Sequence, residues 1–353
     1  MAYTTIDDPS AYFTTLLYTG NATDDRNLTN SANAGDFKPD FIWLKERSST
    51  SSHQLINSTR GSQFALMADS NAIEDEDANR VQAFQTNGFQ VGTASTVNQD
   101  TITMVAWQWK ANGGTTTTND ASSTSIGTVD SVIQANTDAG FSIVTFTGGS
   151  NTFSMAHGLG AVPEMIWSKR RDTDTGNWHV YHKATGKLGA TFLNTNSAFA
   201  DAPYFGDTDP TSTVFSQSNS AIENGEGAVA YCFKSIQGYS KIGKYTGNGN
   251  ADGPFIYTGF KVAWIMFKKA SAAGDWIIMD AKRTNEFNPT NGTLYANLNN
   301  AEATSIDRGD CVSNGYKLRN TSAAVNSSGA TYIYMAFAEH PFVSSQGVPT
   351  TAR

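Results

Sequence analysis

Phe41-Ile42-Trp43-Leu44-Lys45-Glu46-Arg47 decides how this chain folds, because the same pattern is written three times. An unbroken apolar run that gives way to charge reads as a strand buried on both faces, with its end emerging into solvent. The second version is Met165-Ile166-Trp167-Ser168-Lys169-Arg170 and the third is Trp264-Ile265-Met266-Phe267-Lys268-Lys269. Each is preceded by an aromatic-Thr-Gly signature: Tyr18-Thr19-Gly20, Phe146-Thr147-Gly148 and Tyr245-Thr246-Gly247. Each is followed by a second apolar run: Val105-Ala106-Trp107-Gln108-Trp109, Val229-Ala230-Tyr231-Cys232-Phe233 and Ile333-Tyr334-Met335-Ala336-Phe337. Tryptophans 43, 167 and 264 act as anchors and set a period of about 100 to 125 residues. Solenoid and propeller repeats run about 20 to 50 residues, so the longer period predicts tandem copies of a small domain, each with its own core.

Working outward from these runs, strand signals dominate and helical periodicity is nearly absent. Short aromatic and β-branched segments alternate with Gly, Asn, Asp and Ser turns, which is the pattern of a β-sandwich or jelly roll. The fold class is all-β, with three tandem sandwich repeats at residues 12–111, 139–237 and 238–339. A terminal arm precedes them at 1–11, another follows at 340–353, and a polar linker occupies 112–138. Asn87-Gly88 predicts a type I′ hairpin turn, and Asn314-Gly315 repeats it in the third copy. Ala72–Ala78 is the only stretch that suggests even one helical turn.

Composition narrows the function. The 353-residue chain carries 24 basic and 32 acidic residues, a net charge of −8, and only 16% charged residues. A surface built from Ser, Thr, Asn and Gly suits contacts with sugars or proteins. Nucleic-acid binding would want a basic stripe, and no basic cluster exceeds Lys169-Arg170-Arg171, which reads as the solvated end of a strand. Cys232 and Cys311 occupy non-equivalent places, so both read as buried thiols rather than a disulfide pair. The opening residues lack the basic-then-apolar pattern of a signal peptide, and no apolar window is long enough for a membrane-spanning helix.

A search for chemistry finds little. There is no nucleophile elbow and no phosphate-binding loop. His179 and His182 lie three apart on a predicted strand and therefore point to opposite faces. His53 stands where the later copies have Trp178 and Trp276, which suits packing better than ligation. Asp172-Thr173-Asp174-Thr175-Gly176 reads as a turn, and Glu74-Asp75-Glu76-Asp77 as a solvated acidic loop open to a cation. No acid recurs in all three copies, so Asp40, Glu164 and Asp280 do not form a recurring carboxylate pair. No metal, cofactor or catalytic residue is expected. Trp178 and Trp276 follow turn residues at strand starts, and with Tyr181 they are the candidate binding residues, since an exposed ring can stack on a sugar or anchor a protein contact.

Several stretches resemble a known group. Met1-Ala2-Tyr3-Thr4-Thr5-Ile6, Pro39-Asp40-Phe41-Ile42-Trp43-Leu44-Lys45, His157-Gly158-Leu159-Gly160-Ala161-Val162-Pro163 and Tyr332-Ile333-Tyr334-Met335-Ala336-Phe337-Ala338-Glu339-His340-Pro341-Phe342 are similar to virion repeat proteins of tailed bacteriophages, particularly marine podoviruses. That resemblance covers nearly the whole chain. It implies a virion structural protein made in the host cytoplasm, with a lectin-like β fold, as a compact tail-associated knob or fibre module. The expected partners are other virion proteins and a host surface glycan or protein receptor, with self-association into a homo-oligomer, most naturally a trimer. A capsid decoration or tail-assembly subunit is the alternative, and a polysaccharide depolymerase is a third. Neither nucleic-acid binding nor membrane insertion is expected.

Overall fold

A computed structural model describes residues 2–30, 37–172, 176–284 and 288–350. The protein is an all-β sandwich structure, and its only helices among the described residues are single turns of three or four residues. Three large antiparallel sheets share one strand order. In the first, Phe13–Thr19, Thr103–Trp109, Phe41–Glu46, Gln54–Asn57 and Gly61–Leu66 lie side by side. The second places Phe141–Thr147, Gly227–Phe233, Met165–Arg170, His179–His182 and Gly189–Phe192 in the same sequence. The third uses Ser240–Thr246, Thr331–Pro341, Phe260–Lys269, Ile277–Asp280 and Leu294–Tyr295.

Each large sheet has two apolar faces, and each face is covered differently. One face packs on a small sheet to form a local core: Ile42, Leu44, Phe89 and Val91 in the first unit, Ile166, Phe153 and Phe215 in the second, Ile265, Phe267 and Tyr316 in the third. The other faces of all three meet in one common core that includes Trp43, Trp107, Trp109, Trp167, Trp178, Trp264 and Trp276. Trp43 sits edge-on to Trp167 of the second sheet at 5.6 Å, and Trp264 of the third sheet sits edge-on to Trp109 at 5.9 Å. Each such aromatic pair contributes about 0.5–1.5 kcal/mol beyond its buried area. The units therefore have local cores and a shared one, whereas the sequence pattern had suggested independent cores alone.

Register corrects the anchor reading. Trp43 pairs with Trp107 and Trp167 with Tyr231, whereas Trp264 pairs with Phe337 and Met266 with Met335. Counted back from the lysine that closes each run, Trp264 stands at the place of Phe41 and Met165, and Met266 takes the anchor place. Those lysines are also not the solvated strand ends expected: Lys45, Lys169 and Lys268 are fully buried. Each ammonium donates to the carbonyl of the next residue, Glu46, Arg170 or Lys269, at 2.7, 2.9 and 2.7 Å. Lys169 also reaches Asn71 O of the first unit at 3.1 Å, and Lys268 reaches Asn196 O of the second at 3.4 Å.

Three further expectations change. Residues 112–138 are not a loose linker: Ser131–Asn136 pairs along Phe141–Thr147, and Thr117–Asn119 adds a strand outside it. Asn87-Gly88 is not a type I′ turn. Gln85 pairs with Gly88 across Thr86-Asn87, and Asn87 is not among the positive-φ residues. Glycine is required here because the neighbouring strand approaches: a Cβ at Gly88 would lie 2.1 Å from Leu28 O, and one at Gly315 would lie 2.3 Å from Ile256 O. Ala72–Ala78 contains the short strand Asp75–Glu76 rather than a helical turn.

The units interlock as a ring. His53, Trp178 and Trp276 hold equivalent places, and each ring nitrogen meets a carbonyl of the neighbouring unit: His53 Nε2 with Tyr295 O at 2.9 Å, Trp178 Nε1 with Met67 O at 2.8 Å, Trp276 Nε1 with Phe192 O at 2.7 Å. Two seams also hold an Arg–Glu–Arg triad in which one arginine, Arg60 or Arg283, is buried and the other two members are partly covered. Glu74 accepts from Arg60 and from Arg171 at 2.6 Å. Glu302 accepts from Arg283 at 2.6 Å and Arg47 at 2.7 Å. The backbone fixes the correspondence, since Glu74 N donates to Arg171 O, Glu302 N to Arg47 O, and Phe199 N to Ala270 O. The third seam thus has Thr185, Phe199 and Ala270 in the places of the triad, and a notch of about 340 Å³ opens there.

The Arg283 side chain is fully buried and pairs with Asp280 as well as Glu302, and removing one partner of a buried ion pair strands the other, a loss of about 3–5 kcal/mol. Arg283→Met is expected to lower unfolding stability by that amount, while Thr185→Ala at the matching place costs less than about 1 kcal/mol. Urea titration of the two variants reads the difference, and equal losses would contradict the triad's role.

Candidate functional site

Buried groups come first, because they show which sequence candidates are available to a ligand. Trp178 and Trp276 are completely buried and Tyr181 is 4% exposed. The turn residues before the two tryptophans do precede strand starts, but the seam bonds draw both indoles inward, so the expectation of exposed rings is corrected. Tyr181 packs in the local core of the second unit against Phe205. No ligand can stack on any of the three in this arrangement.

The other candidates are engaged in holding the fold. His179 packs on Tyr204 and Phe192, with ring centres at 4.6 and 5.4 Å. His182, on the opposite face, accepts from Ala184 N at 3.0 Å. Asp40 accepts from Ser58 Oγ and from the amides of Ala111 and Gly113, all at 2.8 Å. Glu164 pairs with Lys183 at 2.7 Å and accepts from Ser235 Oγ. Asp280 accepts from Trp107 Nε1 at 2.9 Å and pairs with Arg283. Glu74 belongs to a seam triad and Asp75 pairs with Arg80, so the acidic loop is not a free cluster. Lys169 and Arg170 are buried, and Arg170 pairs with Glu223 and Glu226. Residues 173–175 of the acidic turn lie outside the described residues.

Burial also sets the charge states. Desolvation pushes His53 and His179 down to about 3, and His157 and His182 down to about 4, from the ordinary 6.5. Desolvation likewise lowers Lys45 and Lys268 from 10.5 to about 8. Both thiols are raised, chiefly by burial.

One exposed candidate lies where the N-terminal arm packs on the third unit. Phe255 and Tyr257 alternate with buried Ile256 on one short strand and are 46% and 55% exposed. At Tyr257 a cleft of about 370 Å³ opens, lined also by Tyr3, Ser235, Gln237, Ser240, Lys241, Thr258 and Gly259. A second depression, shared through Tyr3 and Gln237, reaches Ser345 and Gln346. The N-terminal arm builds the wall: Tyr3 Oη donates to Gly259 O at 2.8 Å and lies 3.5 Å from Tyr257 Oη, while Thr4 Oγ1 donates to Gln237 O at 2.8 Å. The C-terminal residues join it through Ser345 N and Asp7 Oδ1 at 2.6 Å. The strand Thr331–Pro341 runs into what the sequence had suggested was an arm outside the fold, and the segment after it turns back to the N-terminal arm. The lining hydroxyls of Ser235, Ser240 and Thr258 are held by Glu164 and by main-chain groups, so the exposed ring of Tyr257 and the Gln237 amide are what the cleft offers: a surface to stack on and a group to hydrogen-bond a ligand's edge. Sequence reasoning missed this cleft because three distant segments build it. The signal present was the alternation Phe255-Ile256-Tyr257 next to a turn.

A family model described as a domain of unknown function, DUF7483, matches residues 8–341. The chain belongs to this family. The match runs from before the first strand to the end of the last, so a single family model spans all three sheets. No curated protein matches the chain.

Two predictions follow from these environments. Between about pH 3 and 6.5 the unfolded chain binds protons that the folded histidines refuse, so stability falls as pH drops below 6.5. Between about pH 8 and 10.5 the unfolded lysines keep protons that the folded ones release, so this pair adds stability as pH rises. Urea midpoints across pH 5–7 are expected to show the histidine slope, and the lysine contribution is read across pH 8–10 as the difference in slope between wild type and Lys45→Met/Lys268→Met, because the raised thiols of Cys232 and Cys311 oppose it in both proteins above about pH 9. Separately, Gly259 has φ +84°, and a Cβ there would lie 2.7 Å from Tyr3 Oη. Gly259→Ala is expected to cost about 1–2 kcal/mol and to release the N-terminal arm, seen as faster removal of residues 1–11 by subtilisin.

Proposed function

We propose that the protein is a bacteriophage virion structural protein, a tail-associated fibre or knob module that attaches to a host surface receptor through the cleft of Tyr3 and Tyr257 and the exposed Phe255 on the same strand as Tyr257. The observation that carries this reading is the exposed pair Phe255 and Tyr257 on one strand, the second of them lining a cleft, in a chain whose tryptophan rings are buried in the core. Aromatic side chains fixed on a rigid strand supply contact area at low entropic cost. The resemblance to phage virion repeat proteins supports the location. The interlocked seams support a role in holding a surface rather than in turning over a substrate, because Asp40, Glu74, Asp75, Glu164 and Asp280 are committed to structural partners. Self-association into a homo-oligomer, with a trimer favoured, belongs to the same proposal and is read by sedimentation.

Pull-down on host cells tests the reading. The wild-type protein is expected to bind, and Phe255→Ala/Tyr257→Ala is expected to lose most of that binding with an unchanged unfolding midpoint. Binding that survives in the double variant would remove the cleft from the proposal. Absence of host binding by the wild type, together with retention on isolated virions, would favour a decoration or assembly subunit. Release of reducing ends from host polysaccharide would favour a depolymerase.

A further inference from the structure

Charge around the cleft singles out one group. Lys241 lies on the strand Ser240–Thr246, half-buried, and lines the cleft with Tyr3 and Tyr257. It makes no ion pair among the described residues. Two acids that contact the cleft or the adjoining depression are already used: Glu164 by Lys183 and Ser235, and Asp7 by Ser345. The remaining lining groups, Ser235, Gln237, Ser240 and Thr258, are neutral. The cleft therefore presents one cation without an ion-pair partner among the described residues, together with the exposed ring of Tyr257 and the half-buried ring of Tyr3, in a chain of net charge −8. A solvated surface lysine needs no partner, and that is the simpler account of it. Its position is more specific: Lys241 is partly covered, and it shares the cleft with the exposed ring of Tyr257 and the side-chain amide of Gln237.

We infer that the cleft takes an acidic saccharide, whose carboxylate meets Lys241 Nζ while a sugar face lies on Tyr257. This rests on the receptor-binding reading and narrows its ligand class. An ammonium–carboxylate contact is a charge-assisted hydrogen bond that screens with salt, whereas ring stacking on tyrosine is nearly salt-independent. The two contributions can thus be separated.

The probes are a tetragalacturonate, its methyl ester, and an uncharged glucan tetrasaccharide, each titrated calorimetrically into the full chain. Tetragalacturonate is expected to bind at least tenfold more tightly than its ester or the glucan. That advantage should disappear in Lys241→Met and shrink between 50 and 500 mM salt, while Tyr257→Ala weakens all three. An unchanged unfolding midpoint in Lys241→Met shows that the fold is intact. Equal binding of acid and ester, or an acid preference that survives Lys241→Met, overturns the inference and leaves the cleft reading standing. No binding of any probe by the wild type also overturns it. Host-cell binding that depends on Phe255 and Tyr257 would then keep the cleft with a different ligand class, and loss of that dependence would remove both.

Discussion

A sheet that is apolar on both faces must be covered twice, and the rest of this molecule follows from that constraint. Phe41–Glu46, Met165–Arg170 and Phe260–Lys269 are buried along almost their whole lengths. A small two- or three-stranded sheet covers one face of each. Nothing small remains for the other, so the three large sheets cover one another. The common core that results is rich in tryptophan because large rings fill the wide space where three twisted surfaces converge. Once the units are committed to this centre, their margins must meet, and polar groups at those margins must find partners or remain unsatisfied in a dry environment. The ring-nitrogen bonds of His53, Trp178 and Trp276 and the lysines that cap strand-end carbonyls answer that requirement.

The seams show how alike the three units are and where they part. Two are closed by Arg–Glu–Arg and the third by neutral side chains. Replacing a buried ion network with neutral groups is often close to neutral in stability when packing is good. Here the packing is incomplete and a notch remains. The second unit differs in another way, since Ser131–Asn136 covers the edge of its large sheet, whereas Phe13–Thr19 and Ser240–Thr246 remain outermost in theirs. The covering piece comes from the segment that joins the first unit to the second, so connectivity accounts for this difference.

Much of the architecture is legible in the sequence. The strand class, the recurrence and the doubly buried runs all follow from the apolar pattern of residues 41–44 and its later versions. Three things are not legible, each for a physical reason. Apolar runs state that both faces are covered but not by what, so the shared centre stays hidden behind an expectation of separate cores. Charged residues at the end of a strand normally mark solvent, and only tertiary partners such as Glu74 and Glu302 show that Arg171 and Arg47 mark a seam. A tryptophan after a turn looks exposed until a carbonyl from another unit, Met67 O or Phe192 O, is seen to receive its N–H. The candidate cleft fails for a related reason: Tyr3, Gln237 and Tyr257 are brought together by chain ends, for which local pattern carries no signal.

Three look-alike units on one polypeptide have a freedom that three identical chains lack. In a homotrimer a gene change alters every corner at once, so a substitution that suits one place must be tolerated in all. Here Thr185, Phe199 and Ala270 could replace the charged trio at a single corner while the other two kept it, and Phe255 and Tyr257 could be displayed on a single flank. Covalent linkage thus lets a nearly symmetrical body acquire one distinct side, and with it a direction in which to face.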